Sequence, residues 1–134
     1  MQLPTSINLS LAGKRIYMVH AQPPDACHGG IKLLNRNGLL QNDRIAYWKN
    51  ALRLFDKDVL IVGHTHQVFA EKIGNTLVVN PGSSAFNHSC AILYLPEMTV
   101  RFFPLSGKQI KRTWNWGDDV ISKDGIAGTG SGDK

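Results

Sequence analysis

The chain has 134 residues, of which 43% are hydrophobic and 19% are charged, and this composition excludes an intrinsically disordered protein. Its length predicts a single domain with its own core, and its net charge of +5 fits an anionic partner of any class. The apolar stretches are too short to cross a bilayer, and the first residues do not match a signal peptide. Because its two cysteines, Cys27 and Cys90, lie far apart and lack a C-x-x-C spacing, we expect a reduced, cytoplasmic protein that crosses no membrane.

The first third of the chain predicts two strands followed by a long loop. Ile7–Leu11 and Lys14–His20 have the pattern of strands and are separated by a turn at Ala12-Gly13. From Ala21 to Gln41, turn-forming Pro-Pro, Gly-Gly and Asn-Gly pairs predict a loop with local order only at Ile31–Leu34. A loop of this length inside a compact domain is either functional or mobile.

The middle of the chain predicts one amphipathic helix and one buried strand. The helix is expected over Asp43–Phe55, with Asn42 or Asp43 as its N-cap. Its apolar stripe, which should pack on a sheet, consists of Ile45, Trp48, Ala51, Leu52 and Phe55. The continuous apolar run Val59–Val62 then predicts a strand that is covered on both faces.

The remaining pattern is typical of antiparallel hairpins. Gly74-Asn75 is a good two-residue turn, and it separates two predicted strands, Val68–Ile73 and Thr76–Asn80. A second hairpin and an edge strand are predicted farther on, at Cys90–Leu95, Thr99–Pro104 and Gln109–Trp114. We expect residues 1–116 to form the domain, and residues 117–134 to be a flexible tail rich in Gly, Ser and Asp.

The candidate chemistry begins where the buried strand stops, at the tetrapeptide Gly-His-Thr-His of residues 63–66. Two imidazoles separated by one residue can both reach a metal ion when the chain turns sharply, and we expect Gly63 to provide that turn. A His-x-His pair in a basic protein is also compatible with two ordinary loop histidines. Two further strand ends favour the metal site. His20 ends the second strand, and Asn-Pro-Gly-Ser at residues 80–83 forms a turn whose amides could line a cavity.

These motifs, in this order, resemble the calcineurin-like metallophosphoesterase superfamily, and most closely its small bacterial phosphoesterases. The resemblance extends over roughly Ala12–Leu105 and rests on Val19-His20, Ile61-Val62-Gly63-His64-Thr65-His66 and Val79-Asn80-Pro81-Gly82-Ser83. It implies a mixed α/β fold, the C-terminal part of a sandwich of two sheets flanked by helices, with two divalent metal ions at one edge. By this resemblance His20 and His64 would bind one ion and His66 the other. Manganese is the first expectation, with iron, zinc or nickel as alternatives.

The resemblance also implies a function, which is metal-dependent hydrolysis of a phosphodiester or a phosphomonoester, with a small phosphate ester or a nucleotide as substrate. Two metal ions neutralise the phosphate and supply a bound hydroxide. Three family motifs that supply further ligands, D-x-H, G-D-x-x-D and G-N-H, are absent from the chain. We therefore expect a domain without its N-terminal half, and weak or no activity from this chain, because neutral imidazoles alone hold two dications poorly.

The alternative function is that of a non-catalytic scaffold or protein-interaction module. A second copy or a partner would then cover the sheet edge that the missing half leaves open. A basic and aromatic surface for nucleic acid, centred on Trp114-Asn115-Trp116, is disfavoured because Lys and Arg are scattered along the chain. Packing of these aromatic residues on the sheet is preferred, so nucleic acid is not expected as a partner.

Substrate contacts near the metals are assigned to four residues: Asn80, Gly82, Ser83 and His88. His88 lies in the polar stretch Asn87–Ser89, which is more typical of an exposed loop than of a binding site. Cys90 alternates within an apolar strand and is expected to be a small buried hydrophobe. The catalytic residues are left unassigned.

Overall fold

The structure is a computed structural model that describes residues 5–23 and 29–114. A five-stranded sheet has the order β1-β2-β3-β5-β4 and is built from β1 (Ser6–Leu11), β2 (Lys14–Val19), β3 (Val59–Ile61), β4 (Val68–Ile73) and β5 (Thr76–Pro81). A separate two-stranded sheet pairs β6 (Ser89–Tyr94) with β7 (Thr99–Pro104). One α-helix, α1 (Asn42–Ala51), lies among the described residues. The expected mixed α/β fold is confirmed.

The pairing directions of the main sheet set the position of the site. β1 and β2 form an antiparallel hairpin, as do β4 and β5. The inner pairs, β2 with β3 and β3 with β5, are parallel. Val59 of β3 lies opposite Ile16 of β2 on one side and opposite Leu77 of β5 on the other. β2, β3 and β5 therefore all end at the same edge of the sheet.

The central strand β3 is buried on both faces, as its continuous apolar run predicts. On one face Leu60 and Val62 belong to a cluster that includes α1 and the loop before it. On the other face Val59 packs in a cluster with β5, and the β6–β7 hairpin covers it. Each fully buried side chain of this size contributes about 1.5–3 kcal/mol of hydrophobic stabilisation, so β3 anchors two layers at once.

The helix is shorter than its sequence pattern indicates. It begins at Asn42 and ends at Ala51, and its N-cap is Gln41, which makes no side-chain capping bond, so the prediction of Asn42 or Asp43 as the cap is wrong. Ala51 is exposed and does not join the apolar stripe. Leu52 is still buried because turns continue beyond the helix, where the Phe55 amide donates to the Leu52 carbonyl.

The loop that precedes the helix is ordered by the core from Gly30 onward. Ile31, Leu33 and Leu34 are all buried in the cluster beneath α1, in agreement with the local order predicted there. The side chain of Gln67 fixes the loop, because its Oε1 accepts from the Leu33 and Leu34 amides at 2.9 and 3.1 Å. This stretch of the loop is thus part of the packed structure.

Two predictions at the C-terminal end are wrong. Residues 109–114 do not form an edge strand, because their backbone bonds to other described backbone only through an isolated bridge, between Gln67 and Thr113, a single bond to the first residue of β4, from the Val68 amide to the Arg112 carbonyl, and a bond from the Lys111 amide to the Asn87 carbonyl. Cys90 is exposed rather than buried, since the outer face of the β6–β7 hairpin is open there. The predicted tail, residues 117–134, lies outside the described residues. Within the described part of the chain, no helix is long and apolar enough to span a membrane.

Candidate metal centre

Three histidines line one cavity at the edge where the parallel strands end, and two of them, His20 and His64, are in direct contact. His20 follows β2 directly, and residues 63–66, which we call the histidine loop, follow β3. The Gly63 amide donates to the His20 carbonyl at 2.8 Å and so extends the pairing of the two strands by one step. Parallel strands deliver their carboxyl-terminal residues to a common place, which explains why residues 44 positions apart in the chain become neighbours.

Two of the three imidazoles are in direct contact with each other. The Nε2 atom of His20 lies 3.1 Å from the Nδ1 atom of His64, and the two rings meet edge to face with centroids 5.0 Å apart. The two nitrogens therefore lie side by side at the cavity wall. Such a pair either shares one proton in a hydrogen bond or presents two lone pairs to a third atom.

The sharp turn occurs at His64 and not at Gly63, which corrects the sequence interpretation. His64 has a φ of 69°, and the Thr65 amide donates to the Gly63 carbonyl at 2.8 Å. A hydrogen bond from residue i+2 to residue i around a positive φ is the strained form of the γ-turn. Gly63 is not required for space, since an added Cβ would lie at 3.5 Å from the His20 carbonyl oxygen.

The buried side chain of Asn80 stabilises this turn. Asn80 is fully buried, and its Nδ2 donates to the Thr65 hydroxyl at 3.1 Å, while its Oδ1 accepts from the Gly82 amide at 2.9 Å. Thr65 in turn donates to the Ile31 carbonyl at 3.0 Å. The side chain assigned to substrate binding is thus a link between the histidine loop, the turn after β5 and the loop before α1.

His66 lies in an aromatic setting. Its ring packs against Phe86, with centroids 4.7 Å apart, and against Trp114, with centroids 5.4 Å apart. Burial lowers the pKa of His66 below the ordinary histidine value, and the charges of His64 and His20 lower that pKa further. His66 is therefore biased toward the neutral form, which is the form that binds metal ions. Trp114 packs on the site, not on the sheet as the sequence interpretation expected.

Asn87 is the residue that sequence reasoning missed. The stretch around it was interpreted as exposed polarity, yet Asn87 is fully buried. Its Nδ2 donates to the carbonyls of His66 and Lys111, each at 2.8 Å, and its Oδ1 accepts from the Ser83 amide at 2.8 Å. A single buried Asn among polar neighbours gives no periodic signal, and only its three partners reveal its role.

A cavity of about 320 Å³ lies in front of the histidines. It is lined by His20, Gly63, His64, His66, Asn80, Gly82 and Ser83. The amides of Gly82 and Ser83 do not face it freely, because they donate to the side chains of Asn80 and Asn87. His88 does not line this cavity, and its carbonyl accepts from the Leu105 amide.

The described lining of the cavity is rich in imidazole. No Asp or Glu is among the described residues that line it, and the same part of the chain contains no group of three His, Cys, Asp or Glu side chains that could hold one metal ion. A second cavity of about 330 Å³ adjoins it through His20 and Gly63 and has an apolar wall that includes Ile7, Met18 and Ile61. The polar cavity therefore neighbours an apolar part of the sheet.

Comparisons with known proteins identify the family and the fold. The sequence profile of a family described as a calcineurin-like phosphoesterase superfamily domain matches residues 1–95. No curated protein sequence matches the chain significantly.

Solved structures share the fold at low sequence identity. A hypothetical protein from Pyrococcus horikoshii OT3 is 16% identical with a TM-score of 0.63, and the match covers 97% of this chain and 49% of that one. Vps29 from Entamoeba histolytica complexed with zinc is 21% identical with a TM-score of 0.51, covering 83% and 60%. A single mutant of the same Vps29 is 21% identical with a TM-score of 0.54, covering 86% and 64%. The chain thus spans between half and two thirds of the length of these proteins.

Proposed function

Since the chain belongs to the calcineurin-like phosphoesterase superfamily, we propose that it is a metal-dependent phosphoesterase acting on a phosphodiester or phosphomonoester. The observation that carries the proposal is the 3.1 Å separation of the His20 and His64 ring nitrogens at the wall of a cavity that His66 also lines. A small phosphate ester or a nucleotide is the proposed substrate. The cytoplasmic location and the extent of the domain over residues 1–116 stay predictions.

The residues present fit a divalent ion in part. Metal to imidazole nitrogen distances are about 2.0–2.1 Å, so two nitrogens 3.1 Å apart can both reach one ion. We assign this ion to His20 and His64, and a second ion to His66. Divalent metals are general in the superfamily, and a Vps29 of the same fold is complexed with zinc. Manganese is our first choice, with zinc, iron or nickel as alternatives.

Each side chain has a separate task in this proposal. When bound, two metal ions would neutralise the phosphate and activate water. His20 and His64 present adjacent lone pairs, and the lowered pKa of His66, caused first by burial, keeps its own lone pair available near neutral pH. The Ser83 hydroxyl accepts from the Ala85 and Phe86 amides, so its own hydrogen is directed elsewhere and can bind a phosphate oxygen.

We expect slow turnover from this chain by itself. All of the proposed ligands are neutral, and among the described residues no carboxylate lines the cavity to offset the charge of two dications. Metal affinity for such a donor set is modest and depends on pH. His88 stays a proposed substrate contact only for a substrate large enough to extend beyond the cavity.

Hydrolysis and metal binding test the proposal together. We expect the chain with Mn²⁺ to cleave a chromogenic phosphodiester above the rate of the metal alone, and His64→Ala to abolish that excess. Cys90→Ser is the matched control, because it removes an exposed metal-binding side chain outside the cavity. Metal binding that is equal in wild type and His64→Ala would refute the assignment.

The alternative is a non-catalytic interaction module, and the edge strand β1 favours it. Ile7, Leu9 and Leu11 are 39%, 39% and 51% exposed, and among the described residues nothing pairs with the outer edge of β1. The strand carries no charge, so two copies could pair along it without opposing like charges. This alternative predicts a homodimer that binds less than one metal ion per chain.

Sedimentation at increasing concentration separates the two functions. If the alternative holds, Leu9→Lys gives a monomer, Leu9→Glu also gives a monomer, and mixing the two restores the dimer. Leu54→Lys is the control, since Leu54 is 84% exposed and lies outside the sheet. A chain that stays monomeric and binds metal would exclude the module and leave the hydrolase.

A further inference from the structure

Both histidines of the histidine loop have a backbone conformation that residues other than Gly rarely adopt. The φ angle is 69° at His64 and 54° at His66. Conformations of this kind persist only where the surroundings over-determine them, and they concentrate at functional sites. Each of the two residues is accompanied by a fully buried asparagine that bonds to the loop.

The two asparagines act on different halves of the loop. Asn80 reaches Thr65, directly after His64, whereas Asn87 reaches the carbonyl of His66 itself. Asn87 also bonds to the Ser83 amide on one side and the Lys111 carbonyl on the other. It therefore ties His66 to two other segments of the chain and leaves no polar atom of its side chain unused.

We propose that Asn87 is a positioning residue for His66, holding its backbone in the left-handed conformation that turns the imidazole toward the cavity. Phe86, the residue before Asn87, packs its ring on the same imidazole. One dipeptide thus fixes His66 at both the carbonyl and the ring. The functional consequence rests on the proposed metal site, but the positioning itself requires no metal.

A purely structural role makes a different prediction. An Asn that only stabilised the fold would, when replaced, affect all three cavity histidines alike or none of them. A positioning role affects His66 selectively, because His20 and His64 are held by the strand pairing and by Asn80. The two roles are therefore separated by which imidazole responds.

The imidazole nitrogen resonances of the full chain, measured by NMR without metal, provide that test. We expect Asn87→Ala and Asn87→Asp each to shift or broaden the His66 signals while those of His20 and His64 keep their positions. Asn87→Asp keeps the size of the side chain and an acceptor for the Ser83 amide but loses the donor to the His66 carbonyl, so it remains informative if Asn87→Ala unfolds. Thr76→Ala is the control, because it removes a buried bond to the Lys57 carbonyl at the other end of β5. Unchanged His66 signals in a folded Asn87 variant would overturn the proposal.

Calorimetric titration with Zn²⁺ adds a functional measurement. Residues that orient metal ligands change affinity by about 10–100-fold when replaced, and we expect Asn87→Ala to weaken zinc binding at least about tenfold, with Thr76→Ala close to wild type. If the wild-type chain binds no zinc, the proposed function fails while the NMR result still decides the role of Asn87. If zinc binds equally to wild type and Asn87→Ala, the effect of Asn87 on metal binding fails and the metal site stands, and the NMR result alone decides whether Asn87 positions His66.

Discussion

Replacing Gly82 by Ala tests the packing of the turn that carries the cavity wall. Gly82 has a φ of 80°, and a Cβ atom there would lie 2.5 Å from the Ser89 hydroxyl oxygen and 2.6 Å from a Val68 methyl. Neither neighbour can move easily, since both side chains are buried and the Ser89 hydroxyl donates to the Pro81 carbonyl at 2.7 Å. Gly74 offers a matched control, because it also has a positive φ, of 62°, but nothing within 4 Å of an added Cβ.

The two substitutions should differ by the cost of the steric clash. Both place Ala in the left-handed region, which costs about 1–2 kcal/mol. Only Gly82→Ala also forces atoms into a filled space, and overpacking of this kind costs about 1–3 kcal/mol. We therefore expect the free energy of unfolding to fall by about 2–5 kcal/mol for Gly82→Ala and by about 1–2 kcal/mol for Gly74→Ala.

Urea denaturation of the two variants beside wild type measures this difference directly. The slope of the unfolding free energy against urea concentration should be the same for wild type and both variants, so that the midpoints of the unfolding curves report stability alone. Equal losses for the two variants would refute the reasoning, because the turn would then have room for a methyl group. Tighter packing would also be contradicted if Gly82→Ala left the Ser89 and Val68 resonances unchanged.

Three further outcomes are expected. Leu60→Ala should lower the free energy of unfolding by about 2–5 kcal/mol, because Leu60 is fully buried in β3, and a loss near zero in urea denaturation would contradict a central β3. The Arg15 amide donates to the Asp58 carboxylate at 2.8 Å and lowers the pKa of that carboxyl. This hydrogen bond therefore stabilises the folded protein above the unfolded-state pKa of about 3.9, and the stabilisation is lost as the pH falls through the folded-state pKa. The stability difference between wild type and Asp58→Asn, measured by thermal unfolding, should accordingly shrink on acidification, and a difference that grew would reverse the assigned sign. The exposed thiol of Cys90 should react with a thiol reagent in the folded protein, so Cys90→Ser should lower the number of reactive thiols per chain by one, and an unchanged number would contradict the exposure of Cys90.

The strands could be predicted from sequence because their signals are local. Val68–Ile73 and Thr99–Pro104 were predicted with the bounds that the structure has, since alternation and turn residues lie within the segment itself. The helix end was missed for a related reason. Leu52 keeps the helical spacing and is buried, but it reaches the core from a turn and not from a helix.

The candidate site could likewise be predicted only where the sequence signals are local. The meeting of His20 with His64 follows from two strand ends and could be expected from sequence. The left-handed turn at His64 could not, because a neighbouring Gly is the usual candidate for positive φ, and the conformation is imposed by Asn80 from a different strand. Asn87 was interpreted as surface polarity because its partners, His66 and Lys111, lie 21 and 24 residues away.

The bonds of Asn87 also set an order of events during synthesis. A ribosome adds residues from the N-terminus onward, and His66 emerges well before Asn87, which in turn emerges before Lys111. The Lys111 amide donates to the Asn87 carbonyl, and the Arg112 carbonyl accepts from the Val68 amide beside the histidine loop. A nascent chain that ends before residue 111 therefore contains all three cavity histidines and Asn87, but it lacks the Lys111 carbonyl that accepts from Asn87 and the Trp114 ring that packs on His66. The cavity thus reaches its final shape only late in translation.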